Sequence, residues 1–184
     1  MAVALPTDVA PVAMTPRLLD WGADQTPVLG GPMQRITRMG SRHAVDVQMP
    51  PMDYPSALAW IQRLKRGKTD RVLMPFLQPG FDLTGYTNGT ATGSGSTLAF
   101  TGIGKALVEG QFFSLIISGR RYLYSANAAG TTVGVSPMLR VPAAGAVAEV
   151  ATPMIEGALS GDEFAWTIDV AHIVGLSFSI VEAE

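Results

Sequence analysis

The sequence predicts a mainly β protein: a β-sandwich or barrel domain with one short α-helix, and a smaller β-barrel module inserted into it. Three observations carry this reading. Thirteen prolines and 20 glycines cut the chain into intervals too short for long helices, a spacing that suits short strands joined by tight turns. Apolar and polar residues alternate in many of those intervals, and helical spacing is clear in one. Charged residues are sparse, 15% against 47% apolar with a mean hydropathy of +0.26, which excludes a solvating disordered protein. At 184 residues the chain has room for one compact domain or two small modules.

Residues 1–33 are rich in Pro and Gly and read as an N-terminal arm, with one short strand near Arg17–Trp21 and a turn at Gly30-Gly31-Pro32. Such an arm has no core of its own and must lie along its own domain or a neighbouring subunit. The main domain begins with residues 34–81. Gln34–Arg38 and Arg42–Met49 alternate about a turn at Met39-Gly40-Ser41, which predicts a hairpin. Val45, Val47 and Met49 share one face of it; Asp46 and Gln48 share the other. Pro50-Pro51 ends the second strand. A helix is predicted over about 53–66, with Asp53 as N-cap and Pro55 in the first turn. Ala57, Leu58, Ile61 and Leu64 form its apolar stripe, flanked by Trp60, and Gly67 is its C′ stop after Lys65 and Arg66. Val72–Leu77 is a strand, closed by a turn at Gln78-Pro79-Gly80.

Residues 82–156 form the predicted insertion. Its first part, TGYTNGTATGSGS over 84–96, reads as a linker or a long exposed loop. Strands follow at Leu98–Thr101, Gln111–Ile117, Arg121–Ser125, Thr131–Val135, Pro137–Arg140 and Ala146–Val150, with a turn at Ala143–Gly145. This is the spacing of a small antiparallel barrel or sandwich. Residues 157–184 return to the main domain. Phe164, Trp166, Ile168 and Val170 share one face of a strand, Leu176, Phe178 and Ile180 one face of another, and the two are expected to pair through Ala171–Val174.

The net charge of −2 is unevenly spread: residues 1–140 carry +5, while residues 141–184 hold seven acids and no Lys or Arg. These charges either cancel within one fold or make two faces of a subunit complementary. With no cysteine, disulfides, thiolate metal sites and a Cys nucleophile are excluded. No apolar stretch reaches the roughly 18 residues of a membrane span. The opening MAVALPTDVAPVAM lacks the basic start of a signal peptide, so a soluble protein made in the cytoplasm is expected.

Catalytic and cofactor motifs are not found. Gly104-Lys105 has Ala99 and Ala106 where a phosphate-binding loop needs glycine and a hydroxyl, and Gly102 and Gly104 alone make no dinucleotide fingerprint. His43 and His172 stand outside any ligand-spaced motif, and adjacent Asp162 and Glu163 point apart on a strand rather than facing each other. Asn88-Gly89-Thr90 matches a glycosylation acceptor that a chain without a secretion signal would not use. An enzyme, a cofactor and a metal are therefore not expected. Two clusters remain as candidate partner contacts. Arg63, Lys65, Arg66, Lys68 and Arg71 are either a solvated helix end or a contact for a phosphate or acidic partner; specific nucleic-acid readout would want interleaved aromatics. Phe112, Phe113, Tyr122 and Tyr124 are either barrel core and partner surface or a sugar-stacking platform, so a carbohydrate-binding module for host attachment is the alternative function.

Several runs also resemble a known family. Gly30-Gly31-Pro32-Met33-Gln34-Arg35-Ile36-Thr37-Arg38, then Val45–Pro51, Ala59-Trp60 and Arg66-Gly67-Lys68 look like tail proteins of long-tailed bacteriophages and prophages. So do Gly110-Gln111-Phe112-Phe113-Ser114, Gly119-Arg120-Arg121-Tyr122-Leu123, Glu163-Phe164-Ala165-Trp166-Thr167 and Gly175-Leu176-Ser177-Phe178. Within that set the chain is most similar to distal tail proteins, over about residues 14–181. The resemblance implies a virion structural protein: a ring, a homo-hexamer in that family, joining the tail tube protein to the tip or baseplate hub protein, with the tape measure protein a further possible neighbour. It implies a β-rich ring domain with one helix and a second β domain projecting outward, here inserted rather than appended. No cofactor, membrane insertion or nucleic-acid specificity goes with that role.

Overall fold

The computed structural model describes residues 2–169 and 173–182. In chain order its elements are β1 (Ala2–Ala4), β2 (Ala13–Leu19), β3 (Ala23–Gln25), β4 (Gln34–Ile36), β5 (Arg42–Gln48), β6 (Met52–Asp53), α1 (Tyr54–Arg66) and β7 (Arg71–Pro75). Then come β8 (Gly89–Ser94), β9 (Thr97–Thr101), β10 (Phe112–Ile117), β11 (Arg120–Ala126), β12 (Thr132–Ser136) and β13 (Ala143–Glu149). The last four are β14 (Met154–Leu159), β15 (Thr167–Ile168), β16 (Ile173–Gly175) and β17 (Ser177–Glu182). The protein is mainly β with one short helix, as the punctuation by Pro and Gly predicts.

The main sheet has six strands in the order β1-β7-β14-β17-β5-β2. Alternation decides its faces. Val45 and Val47 on β5, Phe178 and Ile180 on β17, Ile155 on β14, and Val72 and Met74 on β7 are all buried in one core. Against them α1 packs Ala57, Trp60, Ile61 and Leu64, the i, i+3, i+4, i+7 set of a single helix face. Trp60, expected at the margin of the stripe, is its centre at 1% exposed, while Leu58, expected within it, is 47% exposed. Asp53 occupies the N-cap position but makes no side-chain cap bond; its backbone pairs with Ile173 in the small sheet of β6, β15 and β16.

The chain leaves the main sheet at Pro75 and re-enters at Met154, and those two residues are direct partners in the ladder between β7 and β14. Between them a closed barrel forms in the order β10-β11-β12-β9-β8-β13. It has its own core, including Leu98, Phe113, Leu115 and Tyr124.

Several sequence expectations are corrected. The first 33 residues are not wholly an arm, since β1 and β2 are both members of the main sheet. The hairpin expected about Met39-Gly40-Ser41 does not form: Gln34–Ile36 pairs with Ala23–Gln25, and β5 is flanked by β2 and β17. Alternation sets which face a strand buries but not which neighbour it takes, and β5 takes two long partners rather than one short one. The 84–96 stretch is not a linker throughout, because Gly89–Ser94 is a barrel strand. Its glycines are needed for space: a Cβ on Gly89 or Gly93 would run into the carbonyl of Thr101 or Thr97 on β9. Pro137–Arg140 is not a strand, and the turn expected at Ala143–Gly145 lies inside β13, where the register against β8 shifts. Of the strand expected at Phe164–Val170 only Thr167–Ile168 forms, paired with β16 rather than β17; Ile168 is exposed. Phe164 and Trp166 are half-buried with rings 5.6 Å apart, while Val170 and Ala171 lie outside the described residues.

Gly67 ends α1 in a right-handed conformation, with φ −63°, so it is not there to turn the chain left. A Cβ on it would collide with Cγ1 of Val72 and lie 3.1 Å from Cδ1 of Leu159. Gly67→Ala is therefore expected to destabilise the fold by about 1–3 kcal/mol through overpacking, read from the midpoint of urea unfolding; an unchanged midpoint would refute the packing account.

Candidate interaction surfaces and the seam between the modules

The basic cluster does not converge on a ligand site. Arg63 donates to the carbonyl of Ala4 at 2.8 Å. Lys65 sits 4.7 Å over the Trp166 ring, Lys68 donates to the carbonyls of Ser160 and Gly161, and Arg71 lies 3.6 Å from Glu156. Arg66 is exposed between them. Four of the five thus tie α1 and its exit to neighbouring segments of the main domain.

The aromatic group is not a sugar platform either. Tyr122 and Tyr124 are buried, at 6% and 1% exposed, and Phe113 is fully enclosed. Phe113 packs edge-on to Phe100 at 4.9 Å and lies 6.2 Å from Tyr124. Burial pushes the Tyr124 hydroxyl up to about 12. Phe112 alone of the four is half-buried, and its ring packs 4.6 Å from that of Phe76. Tyr124→Ala is expected to cost about 3–5 kcal/mol of stability, as large aromatic truncations in cores do. Thermal unfolding measures it, and a Tm unchanged from wild type would contradict the buried placement.

The chemistry-bearing residues meet instead where the barrel sits on the main sheet. Along residues 120–124, β11 has β10 on one side, while β12 pairs with it only at Ser125 and Ala126. Side chains of the main sheet take up the open side. The backbone N–H of Arg121 donates to Oε2 of Glu156 at 3.1 Å, and that of Leu123 to Oε1 of Glu182 at 2.7 Å. Glu182 also accepts from the His43 backbone N–H at 3.1 Å and from Arg140 Nη2 at 2.7 Å. The Nδ1 of His43 lies 3.0 Å from the Leu123 carbonyl. A carbonyl only accepts, so the ring is the Nδ1–H tautomer and donates. Similarly, the Gln78 amide accepts from the Phe112 N–H at 2.8 Å and donates to its carbonyl at 3.1 Å, as a neighbouring strand would.

Electrostatics at the seam follow from burial. Glu182 is 1% exposed; burial pushes its carboxyl up, against the opposing pull of Arg140 and the two backbone donors. Burial pushes His43 down, opposed by the Leu123 carbonyl and reinforced by the charge of Arg140. Beside them, Arg121 forks onto both oxygens of Glu149 at 3.0–3.2 Å, and Ser114 donates to that carboxylate while accepting from the Met154 N–H. Glu149, Glu156 and Glu182, three of the C-terminal acids, thus pair with Arg121, Arg71 and Arg140. That much of the charge asymmetry cancels within the fold.

Two apolar surfaces have no cover. The β3–β4 hairpin is clamped at its base by Asp20, which accepts from Gly22 N–H at 2.9 Å and Ser41 Oγ at 2.8 Å and pairs with Arg35. Those contacts hold the Asp20 carboxyl below the usual range. Beyond the last ladder pair, Gln25 with Gln34, its loop carries Val28 and Leu29, 99% and 98% exposed. The second surface is a groove of about 340 Å³ between β2 and the barrel, lined by Val12, Met14, Leu77, Pro79 and Phe112 among others. Two further apolar hollows, of about 90 and 370 Å³, adjoin it across Leu77. The chain's own hairpin tip does not fill them. Sequence reading put a turn at Gly30-Gly31-Pro32, which is this tip, but had no signal that its apolar neighbours would stay uncovered.

Compared with protein-family models and with curated proteins, the chain matches none. Among the described residues no group of three His, Asp or Glu side chains could hold a metal ion, and no helix is long and apolar enough to cross a membrane. His172 lies outside the described residues.

The lowered pKa of His43 makes its contribution pH-dependent. The unfolded chain protonates this imidazole near the ordinary value of about 6.5 and the folded chain only at lower pH. Its contribution is therefore whole above about 6.5 and is lost as pH falls below it. Glu182, pushed up, works in the opposite direction, so the effect is read as a difference. Relative to His43→Gln, the wild type should lose stability between about pH 6.5 and pH 5, measured by urea midpoints; a constant gap would exclude a neutral, buried His43.

Proposed function

We propose that this chain is an architectural subunit of a phage tail tip, assembling with copies of itself into an adaptor ring between the tail tube and the tip hub. The observation that carries the reading is the hairpin arm. Its polar base is fixed by Asp20, Arg35 and Ser41, yet its tip presents Val28 and Leu29 to solvent almost completely. Large side chains held out in this way mark a surface completed by another molecule. The groove beside β2 supplies a second, different apolar surface on the same subunit, and a ring needs two unlike surfaces that meet head to tail. The resemblance of the Gly30–Arg38 run to distal tail proteins falls on this same arm. The site chemistry supports the reading too, since Glu156 and Glu182 of the main sheet accept from backbone donors of the barrel.

The purified protein is expected to form a closed oligomer in size-exclusion chromatography with light scattering, and to be found at the tail tip in images of assembled particles. Val28→Asp combined with Leu29→Asp should abolish assembly while changing monomer stability by less than about 0.5 kcal/mol, because neither side chain touches its own fold. A stable wild-type monomer that never enters particles would overturn the proposal.

A further inference from the structure

The two chain crossings that carry the barrel, at Pro75 and Met154, are neighbours on one ladder rung. A module attached at one point is free to swing unless a second contact fixes it. That second contact is the cluster at β11: Glu156 with Arg121 N–H, Glu182 with Leu123 N–H, Arg140 and His43 N–H, and His43 Nδ1 with the Leu123 carbonyl. The contacts of Phe112 with Gln78 and with Phe76, a residue of the main core, lie within three residues of the Pro75 crossing, so they act at the pivot itself. Among the described residues, Leu123 is the one barrel side chain buried in the main-sheet core and Phe112, at the pivot, the one packed partly buried against it; the contacts of Glu182, Arg140 and His43 at β11 are polar, and polar contacts are exchanged for water at modest net cost.

We propose that the barrel is a hinged module latched to the main sheet through His43 and Glu182, and that protonation of His43 opens the latch. The groups facing His43 set the sign. From β17 comes Glu182, already engaged by Arg140 and two backbone donors; from the segment after β12 comes Arg140; from β11 come Tyr122, under the Arg140 guanidinium at 5.4 Å, and Tyr124. From β10, Phe112 meets the imidazole edge-on at 5.5 Å. The Arg121–Glu149 and Arg71–Glu156 pairs beyond are internally neutral. The docked cluster therefore balances one carboxylate against one guanidinium around a neutral ring. A charged imidazole adds a second cation at a buried position where the one anion is already shared, and the swung-out state relieves it. Glu182 opposes this direction, because burial favours its protonated form when docked; the test is placed above the carboxylate range for that reason.

The chain has no cysteine, so spin labels can be placed on exposed Gln62→Cys in α1 and Ser94→Cys in the barrel and their separation followed by pulsed electron resonance in the full chain. One narrow distance is expected at about pH 7.5, joined at about pH 5.5 by a second, broader and longer one, with the ordinary histidine pKa of about 6.5 between. Hydrogen-exchange protection inside each module should persist at both. His43→Gln, which keeps an amide donor for Leu123 but cannot charge, should hold the single distance at both. Glu182→Gln should show the second distance already at the higher pH; should that variant not fold, the wild type and His43→Gln decide alone. The proposal falls if the wild-type distance is unchanged by acid, if His43→Gln opens with acid as the wild type does, or if both modules lose protection together.

Discussion

The arrangement of the two modules depends on a few backbone groups at the barrel's rim that no strand pairs. A buried N–H or carbonyl left without a partner costs about as much as a lost hydrogen bond. Here the partners of Arg121, Leu123 and Phe112 are the side chains of Glu156, Glu182, His43 and Gln78. Two glutamates from neighbouring strands of one sheet therefore complete the ladder of another. Removing the Glu182 carboxylate takes the acceptor from two backbone donors and one partner from Arg140. That is why burying Glu182, costly in isolation, is tolerated: an ionic partner and two backbone donors surround the enclosed charge.

Much of the fold was legible in the sequence because period and punctuation are local properties. The alternation of Val45, Val47 and Met49, the helix from Tyr54 to Arg66, and the bursts that became β9 to β12 are all set within a few residues. What was not legible is long-range. Nothing near Gln34 tells that it pairs with Gln25 rather than with β5, and the Gly/Thr run of β8 looks like loop until its close approach to β9 is seen. The seam offered one usable signal. Leu176, Phe178 and Ile180 were assigned to a buried face, and one more step of the same alternation puts Glu182 on it. Counting Glu182 among the terminal acids concealed that step. Its partners, Arg140 and His43, lie 42 and 139 residues away, beyond the reach of any spacing rule.

The surfaces of the molecule divide by kind. Charged groups of α1 and its exit are consumed internally by Ala4, Trp166, Ser160 and Glu156. The hairpin arm does the reverse, keeping its polar contacts at its root and its apolar residues outermost. Under the proposed role, stiffness at the root would reduce the conformational freedom lost when a partner meets the tip.

The single-rung junction at Pro75 and Met154 carries a consequence for how such a chain can change. In an antiparallel pair the two Cα atoms stand about 5 Å apart, the span bridged by an ordinary tight turn. To the sheet, the whole barrel is equivalent to a two-residue loop. A different cassette fits between β7 and β14 without shifting any register in the sheet, provided the core contact of Leu123 is replaced and Glu156, Glu182 and His43 find new partners or open water. The sheet therefore sets no limit on the length of chain carried between β7 and β14.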